Sequence, residues 1–148
     1  MQYYCLIADL CFSTGLELYA GIALAIQVAV FVLHAYPRSS EKFYDASGSL
    51  THFAVVIACL VQYENRSRRQ ILLSIASVIW MTRLGSFLFT RIMKDGKDGR
   101  FDALKKNPLR FLAAWSIQAA WVFLIELPVL IVNAQQVDSG GKKVQRDT

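Results

Sequence analysis

Hydrophobic positions run almost unbroken through long stretches of this chain, and the polar positions gather between them. Three stretches, Leu16 to Tyr36, Ile71 to Phe89 and Phe111 to Val132, each hold about twenty residues. At about 1.5 Å per residue, a helix of that length covers the roughly 30 Å hydrocarbon core of a bilayer. The third stretch also follows Asn107 and Pro108, which are typical of a helix cap and a first helical position. The pattern therefore predicts three membrane-spanning helices.

A further stretch, Leu50 to Tyr63, is too short to cross a bilayer without help. We expect Phe43 to Ser49 to extend it, or the bilayer to thin around it. Within this extension Asp45 predicts a turn that precedes a helix capped by Ser47 or Ser49. The complete pattern predicts an all-α fold, a polytopic membrane helix bundle with about four transmembrane helices.

Composition agrees with this fold class. The chain has 148 residues, 55% of them hydrophobic, and a mean hydropathy of +0.36, which is more apolar than a soluble domain of this length. We assign residues 1–134 to one membrane bundle. Residues 135–148 are polar and lack hydrophobic periodicity, so we expect a disordered tail.

The excess of basic residues sets the expected orientation. The net charge is +5, and with four crossings the loops 37–49 and 90–110 lie on one side with nine Lys and Arg, against six on the other. The positive-inside tendency makes the side with nine cytosolic. The basic residues lack an interleaved aromatic groove, so the expected partner is the lipid bilayer and not a nucleic acid. The cysteines show no metal-ligand spacing, and we predict no metal site.

The last two apolar stretches each contain one ionisable residue, Arg83 in the first of them and Glu126 in the second. Such residues usually face a protein interior or a wet cavity. Counting from the cytosolic helix ends, Arg83 lies about 9 Å deep, Gln118 about 10 Å and Glu126 about 22 Å. A direct contact between Arg83 and Glu126 is therefore not expected. Glu126 is predicted to face the arginines of segment 66–69 or to be protonated where it lies.

Helical spacing groups further polar and aromatic residues around Arg83 and Gln118. Trp80 shares a helical face with Arg83, and Trp115 shares one with Gln118. These faces and the loop before the second span predict a pocket open to the cytosol. Its candidate lining residues are Asp45, Trp80, Arg83, Trp115, Gln118 and Glu126.

Simpler interpretations of the same residues remain open. Arg83 could extend toward the interface, and Gln118 could be a plain interhelical hydrogen-bond partner. His34 and His52 are predicted to be packing residues. No catalytic residue is assigned.

The loop between the last two spans is dense in charge. Its cations, with the backbone amides near Gly96 and Gly99, offer a site for a phosphate-bearing ligand at the mouth of the pocket. The alternative is that this charge only sets the topology. The cations that we select as candidate ligand contacts are Lys97, Arg100 and Lys105.

An ordered series of residues carries a family resemblance over roughly Phe43 to Asn133. The series resembles the multi-pass membrane proteins related to the C-terminal domain of steroid 5-alpha-reductase. Its members here are Tyr44, Asp45, Gly48, Ser49, Trp80, Arg83, Gly85, Phe87, Arg91, Lys94, Asp95, Gly96, Lys97, Asp98, Arg100, Phe101, Asp102, Phe111, Trp115, Gln118, Trp121, Leu127 and Pro128.

The resemblance implies an all-helical reductase. In such a protein NADPH enters from the cytosol and delivers hydride to an activated carbon–carbon double bond of a lipid or sterol-like substrate. Lys97, Arg100 and Lys105 would then contact the cofactor, and the endoplasmic reticulum would be the expected membrane. Members continue into a second helical half that carries most of the cofactor site, so this chain is expected to be a truncated form.

A hypothesis of a different class stands beside the reductase. The chain could be a four-helix membrane protein without catalysis that acts as an interaction or assembly partner. Its contact face would be the stripe of small residues formed by Gly21, Ala25 and Ala29.

Overall fold

Four long helices make up most of the structure, a computed structural model that describes residues 15–62 and 67–134. All four are long and apolar enough to cross a membrane, so the predicted fold class is confirmed. The predicted disorder of the tail 135–148 lies outside the described residues. The helices are α1 (Leu16–Arg38), α2 (Tyr44–Gln62), α3 (Arg68–Asp95) and α4 (Pro108–Ala134).

Helix α1 widens into a π turn near its C-terminal end, and Pro37 explains this change. Phe31–Ala35 forms a π turn just before this proline. Proline has no backbone N–H, so it cannot donate to the carbonyl of Leu33 four residues earlier. The guanidinium of Arg38 donates to that carbonyl instead, at 3.3 Å. Ser39 follows with a φ of 46°, which ends the helix.

Helix α2 begins earlier than the shortest apolar stretch, at Tyr44, so the expected extension is confirmed. The predicted turn at Asp45 is wrong, because this residue lies in the first helical turn. The serines do not act as caps. The hydroxyl of Ser47 donates to the carbonyl of Tyr44 at 2.7 Å, and that of Ser49 donates to the carbonyl of Asp45 at 3.1 Å. These bonds satisfy the hydroxyls inside the helix and let it continue.

The other helix ends carry recognisable signals. A reciprocal capping box of Ser67 and Gln70 starts α3, and Gly96, with a φ of 78°, ends it. The side chain of Asn107 accepts from backbone amides of the first turn of α4 at 2.9 and 3.3 Å, and Pro108 is the first helical residue. The predicted start of α4 is therefore confirmed.

Helices α1, α2 and α4 pack on one another, and α3 joins the bundle mainly through α2. Helix α3 is the most exposed of the four. The core has two apolar clusters at different depths. The first consists of Leu16, Tyr19, Ala23, Val55, Cys59, Ala119 and Leu130, and the second of Phe31, Ala35, Phe101, Phe111 and Trp115.

Polar side chains inside the bundle bond to partners on neighbouring helices. Between α1 and α2, the amide of Gln27 donates to Thr51 at 2.8 Å and accepts from Ser47 at 3.0 Å. Between α3 and α4, the amide of Asn133 donates to the hydroxyl of Ser74 at 2.9 Å. Hydrocarbon offers such groups no water, and each bond contributes on the order of 1 kcal/mol to helix association.

Two glycines allow α2 to approach its neighbours closely. A Cβ atom on Gly48 would lie 2.1 Å from the amide nitrogen of Gln118, and one on Gly85 would lie 2.5 Å from the hydroxyl of Ser49. By contrast, a Cβ atom on Gly21 would meet nothing within 4 Å. The predicted contact face around Gly21 is thus open in this chain, and its use in assembly stays a prediction.

We expect Gly85→Ala to lower the stability of the bundle by about 1 to 3 kcal/mol, because the new methyl group overlaps the short Ser49 side chain. Thermal unfolding of the purified protein in detergent measures the change. Gly21→Ala is the matched control, and it should leave stability equal or slightly higher, since alanine favours a helix. Equal effects of the two substitutions would contradict the close approach of α2 and α3.

Candidate functional site

A buried cluster of three polar side chains joins α2, α3 and α4. The Nδ1 atom of His52 lies in ion-pair contact with Oε1 of Glu126. The hydroxyl of Ser77 lies 3.1 Å from Nε2 of His52 and 3.2 Å from Oε1 of Glu126. The side chains of His52 and Glu126 are both 1% exposed, whereas Ser77 is only partly buried. Ser77 is therefore the member of the cluster nearest to the surface.

The register of two parallel helices brings these residues together. Both α2 and α4 begin at the end of the bundle that carries the charged loop, and Tyr44 donates to the carbonyl of Ala114 at 2.9 Å while Gly48 packs on Gln118. The two helices keep this relative position farther along their length, so His52 lies at the level of the helical turn that precedes Glu126. Long helical side chains lean toward the N-terminus of their helix, so the carboxylate of Glu126 reaches back to His52.

This contact corrects two predictions. Glu126 contacts His52 and Ser77 and pairs with neither Arg68 nor Arg69, so the predicted arginine contact is wrong for these two described residues, while the alternative that Glu126 is protonated stays a prediction. The expected absence of a direct contact between Arg83 and Glu126 agrees with these partners, and the contact with His52 depends on the offset between α2 and α4. His52, which was interpreted as a packing residue, is half of a buried ionisable pair. His34 does pack against a ring, that of Phe43, at 4.5 Å between ring centroids.

The cluster can hold and pass a proton. An imidazole can donate from one nitrogen and accept at the other, and a carboxylate can accept twice. The second oxygen of Glu126, Oε2, has no hydrogen-bond partner among the described residues, although it is buried. An order of hydroxyl, imidazole and carboxylate also occurs in acyl-transfer enzymes. Here Ser77 lies inside a helix whose amides bond to its own carbonyls, so no backbone oxyanion hole adjoins it.

The remaining candidates for pocket lining lie in different environments. The ring of Trp80 lies 6.1 Å from that of His52, and its side chain is about half exposed. Arg83 lies on the exposed side of α3. Gln118 packs on Gly48, and Trp115 is fully buried among aromatic rings in the core. A shared pocket for these residues stays a prediction.

At the end of the bundle where α2 begins, the buried carboxylate of Glu41 holds the charged loop against the helices. Glu41 is 4% exposed, forms an ion pair with Lys105, and accepts from the backbone amide of Asp98 at 2.8 Å. Burial raises the pKa of Glu41, but the bond from Lys105 and the Asp98 amide outweigh it, so the pKa lies below its usual range. Lys105, predicted to contact a ligand, therefore stabilises the loop.

A cavity of about 390 Å³ opens beside this loop, between the end of α3 and the segment that follows it. Its lining includes three cations and two carboxylates: Arg91, Lys97, Arg100, Asp95 and Asp98. The predicted ligand contacts Lys97 and Arg100 thus lie at one cavity.

Each cation of this cavity that we predicted as a ligand contact already has a carboxylate partner. Arg100 donates to both oxygens of Asp98, at 2.9 and 3.0 Å, and Lys97 donates to Asp102 at 3.4 Å. The bonds from Arg100 lower the pKa of Asp98 and raise that of the guanidinium itself. A phosphate would have to displace these carboxylates.

The two loop glycines differ in what they can offer a ligand. The amide of Gly96 donates to the carbonyl of Ile92 at 2.9 Å, so it is already used. A Cβ atom on Gly99 would meet nothing within 4 Å, which leaves its backbone open to an approaching group. Approach of a ligand to the backbone amides near Gly96 and Gly99 stays a prediction.

Arg91 connects the loop to the membrane bundle, and we did not select it from the sequence as a site residue. Its guanidinium lies 3.3 Å from the carboxylate of Asp45 and 3.7 Å from that of Asp98. Asp45, which we predicted to line the pocket, is thus the ion-pair partner of Arg91 and lies just below the charged cavity. The signal that could have revealed this pair is the antiparallel packing of α2 and α3.

Four apolar spanning helices, interhelical polar bonds and a buried ionisable cluster define a multi-pass membrane protein. Within that class, the chain belongs to the family described as "Protein of unknown function (DUF1295)", which matches residues 30–145. Neither a curated protein nor a solved structure matches the chain.

We expect Glu126→Ala to destabilise the protein by about 3 to 5 kcal/mol, because it leaves His52 buried without its partner. Thermal unfolding in detergent gives the magnitude. Glu17→Gln, which changes an exposed carboxylate on α1, is the control and should have little effect. A double variant with His52→Ala should lose less stability than the sum of the single variants. Additive losses would show that the two side chains do not interact.

The docking of the charged loop should weaken in acid. The pKa values of Glu41 and Asp98 are lowered from ordinary values of 4.5 and 3.8, so both carboxylates stabilise the folded state above those values. This contribution is lost as the pH falls through the lowered pKa values. Melting temperatures between pH 6 and 3 should therefore drop below about pH 4.5. The drop should be smaller in Glu41→Gln, and an unchanged drop would rule out this role of Glu41.

Proposed function

We propose that this protein is a membrane-embedded reductase related to the C-terminal domain of steroid 5-alpha-reductase. The observation that carries the proposal is the buried cluster of His52, Ser77 and Glu126. Replacing a buried ion pair with apolar residues is often neutral or stabilising, so folding alone does not require one. Ionisable groups inside membrane-spanning segments usually mark a working site.

The reaction is the NADPH-dependent reduction of an activated carbon–carbon double bond in a lipid or sterol-like substrate. When bound, NADPH supplies the hydride for one carbon and becomes NADP⁺. The π electrons of the double bond take up a proton at the other carbon. His52 and Glu126 hold that proton in the membrane interior, and Ser77 lies between them and the protein surface.

The charged cavity on the cytosolic side supports the cofactor half of the proposal. Arg91, Lys97 and Arg100 are suitable donors for a phosphate, and the backbone of Gly99 is open beside them. The cavity, about 390 Å³, fits a part of a dinucleotide. Arg100 would hold a phosphate by exchanging Asp98 for it, and Lys97 by exchanging Asp102. Lys105 would take no part, since it binds Glu41.

The expected site of action is the endoplasmic reticulum membrane, by the same resemblance. An apolar substrate would reach the protein by lateral diffusion in the bilayer, because the helices expose wide apolar faces.

A second candidate is a helix bundle without catalysis that assembles with other membrane helices. The open stripe around Gly21 favours it, since Ala25 and Ala29 are also exposed and no described helix covers them. Small residues on an open face allow another helix to approach closely.

Titration of the purified protein with NADPH tests the reductase. We expect saturable binding by isothermal titration calorimetry. Arg100→Ala should weaken it about tenfold or more, because a charge-assisted bond is lost and Asp98 is left to repel phosphate. Lys106→Ala is the control, since it removes the same charge from an exposed position outside the cavity.

Two outcomes would count against the reductase. One is the absence of saturable binding by a well-folded sample. The other is equal weakening by Arg100→Ala and Lys106→Ala, which would indicate non-specific attraction between the basic loop and the phosphates.

A further inference from the structure

A groove between α2 and α3 opens toward the lipid on the cytosolic half of the bundle. Its volume is about 370 Å³. Its floor is the close contact of Gly85 with Ser49, and Phe53 and Phe89 contribute aromatic walls. Small side chains at the crossing of the two helices leave this space empty.

The hydroxyl groups in the groove share one orientation. Ser49, Thr82 and Ser86 each donate to a carbonyl of their own helix four residues earlier, at 3.1, 2.7 and 2.6 Å. A hydroxyl has one proton and two acceptor lone pairs. Since the protons are used inside the helices, only lone pairs remain for a ligand.

The other side chains that line the groove have no hydrogen-bond donor of the N–H or O–H type. A ligand with a carbonyl or ether oxygen would therefore find no proton there unless a hydroxyl gave up its backbone bond. A ligand with its own O–H group would find acceptors already in place.

The absence of charge in the groove and its depth along α3 further restrict the chemical class of the ligand. None of the lining side chains is ionisable. Thr82 lies nine residues from Arg91 along α3, or about 13 Å below this charged residue near the membrane surface. A charged headgroup would remain at the surface, whereas a neutral alcohol can lie at this depth.

We propose that the groove binds a neutral, long-chain lipid that carries a hydroxyl group and donates it to Ser49, Thr82 or Ser86. The groove lies about one helical turn from the buried cluster, because Phe53 follows His52 and Met81 lies four residues after Ser77. Naming this lipid as the substrate rests on the proposed function, but its binding does not.

Photolabelling of the purified chain in lipid nanodiscs tests the groove. The probes are a long-chain alcohol that carries a diazirine, and its methyl ether, which lacks the O–H group. We expect the alcohol to label the α2 and α3 residues of the groove about five times more strongly than the ether. Equal labelling by the two probes would overturn the proposal, because bulk lipid contact gives that result.

Matched variants test whether the preference for the alcohol probe arises from the hydroxyl groups of the groove. A triple variant, Ser49→Ala with Thr82→Val and Ser86→Ala, removes all three acceptors and should bring the ratio of alcohol to ether labelling close to one. Thr90→Val is the control, because Thr90 makes the same kind of bond to its own helix at 2.7 Å but lies outside the groove. In this control the ratio of alcohol to ether labelling should stay at about five. Loss of the preference in Thr90→Val alone would contradict the assignment to the groove.

Titration of the same sample with NADPH separates the two proposals. If the alcohol probe is still preferred but NADPH does not bind, the lipid site is supported and the reductase proposal is rejected. If NADPH binds but both probes label equally, the lipid site is rejected and the reductase proposal stands.

Discussion

The bundle depends on one constraint, which is that the hydrocarbon interior of a membrane offers no water to polar side chains. Partners for buried polar groups must therefore come from the protein, either from the same helix or from a neighbouring one. The amide of Gln27 finds its partner across α1 and α2, and Asn133 does so across α3 and α4. His52 and Glu126 meet the same demand with ionisable groups, at a place where three helices come together.

That cluster also links the membrane interior to the charged loop outside it. Helix α2 contributes His52 at the cluster and Asp45 near its N-terminal end, where Arg91 of α3 pairs with Asp45. Helix α3 in turn ends at the cavity that Arg91 and Arg100 line. A ligand that changes the pairing of Arg91 would thus act on α2 and α3, two of the three helices that carry cluster residues.

Length and hydropathy were sufficient to predict the helices, because each span needs only about twenty apolar residues. The start of α4 was also predictable, since Asn107 and Pro108 form a local signal. The extension of α2 was predicted as well, but its capping was not, because Ser47 and Ser49 bond within the helix where the sequence suggested caps.

The contacts between helices were harder to predict. The pairing of His52 with Glu126 depends on the offset between α2 and α4, and neither helix encodes that offset alone. The loop cations could be seen in the sequence, but their pairing with Glu41, Asp98 and Asp102 depends on how the loop folds back.

The central claim is that His52, Ser77 and Glu126 hold a proton as one unit. The chain has two histidines, so nitrogen NMR of labelled histidine in a His34→Gln background observes His52 alone. The account predicts that Glu126→Gln shifts the Nδ1 resonance and that Ser77→Ala shifts the Nε2 resonance. Resonances unchanged in both variants would contradict it.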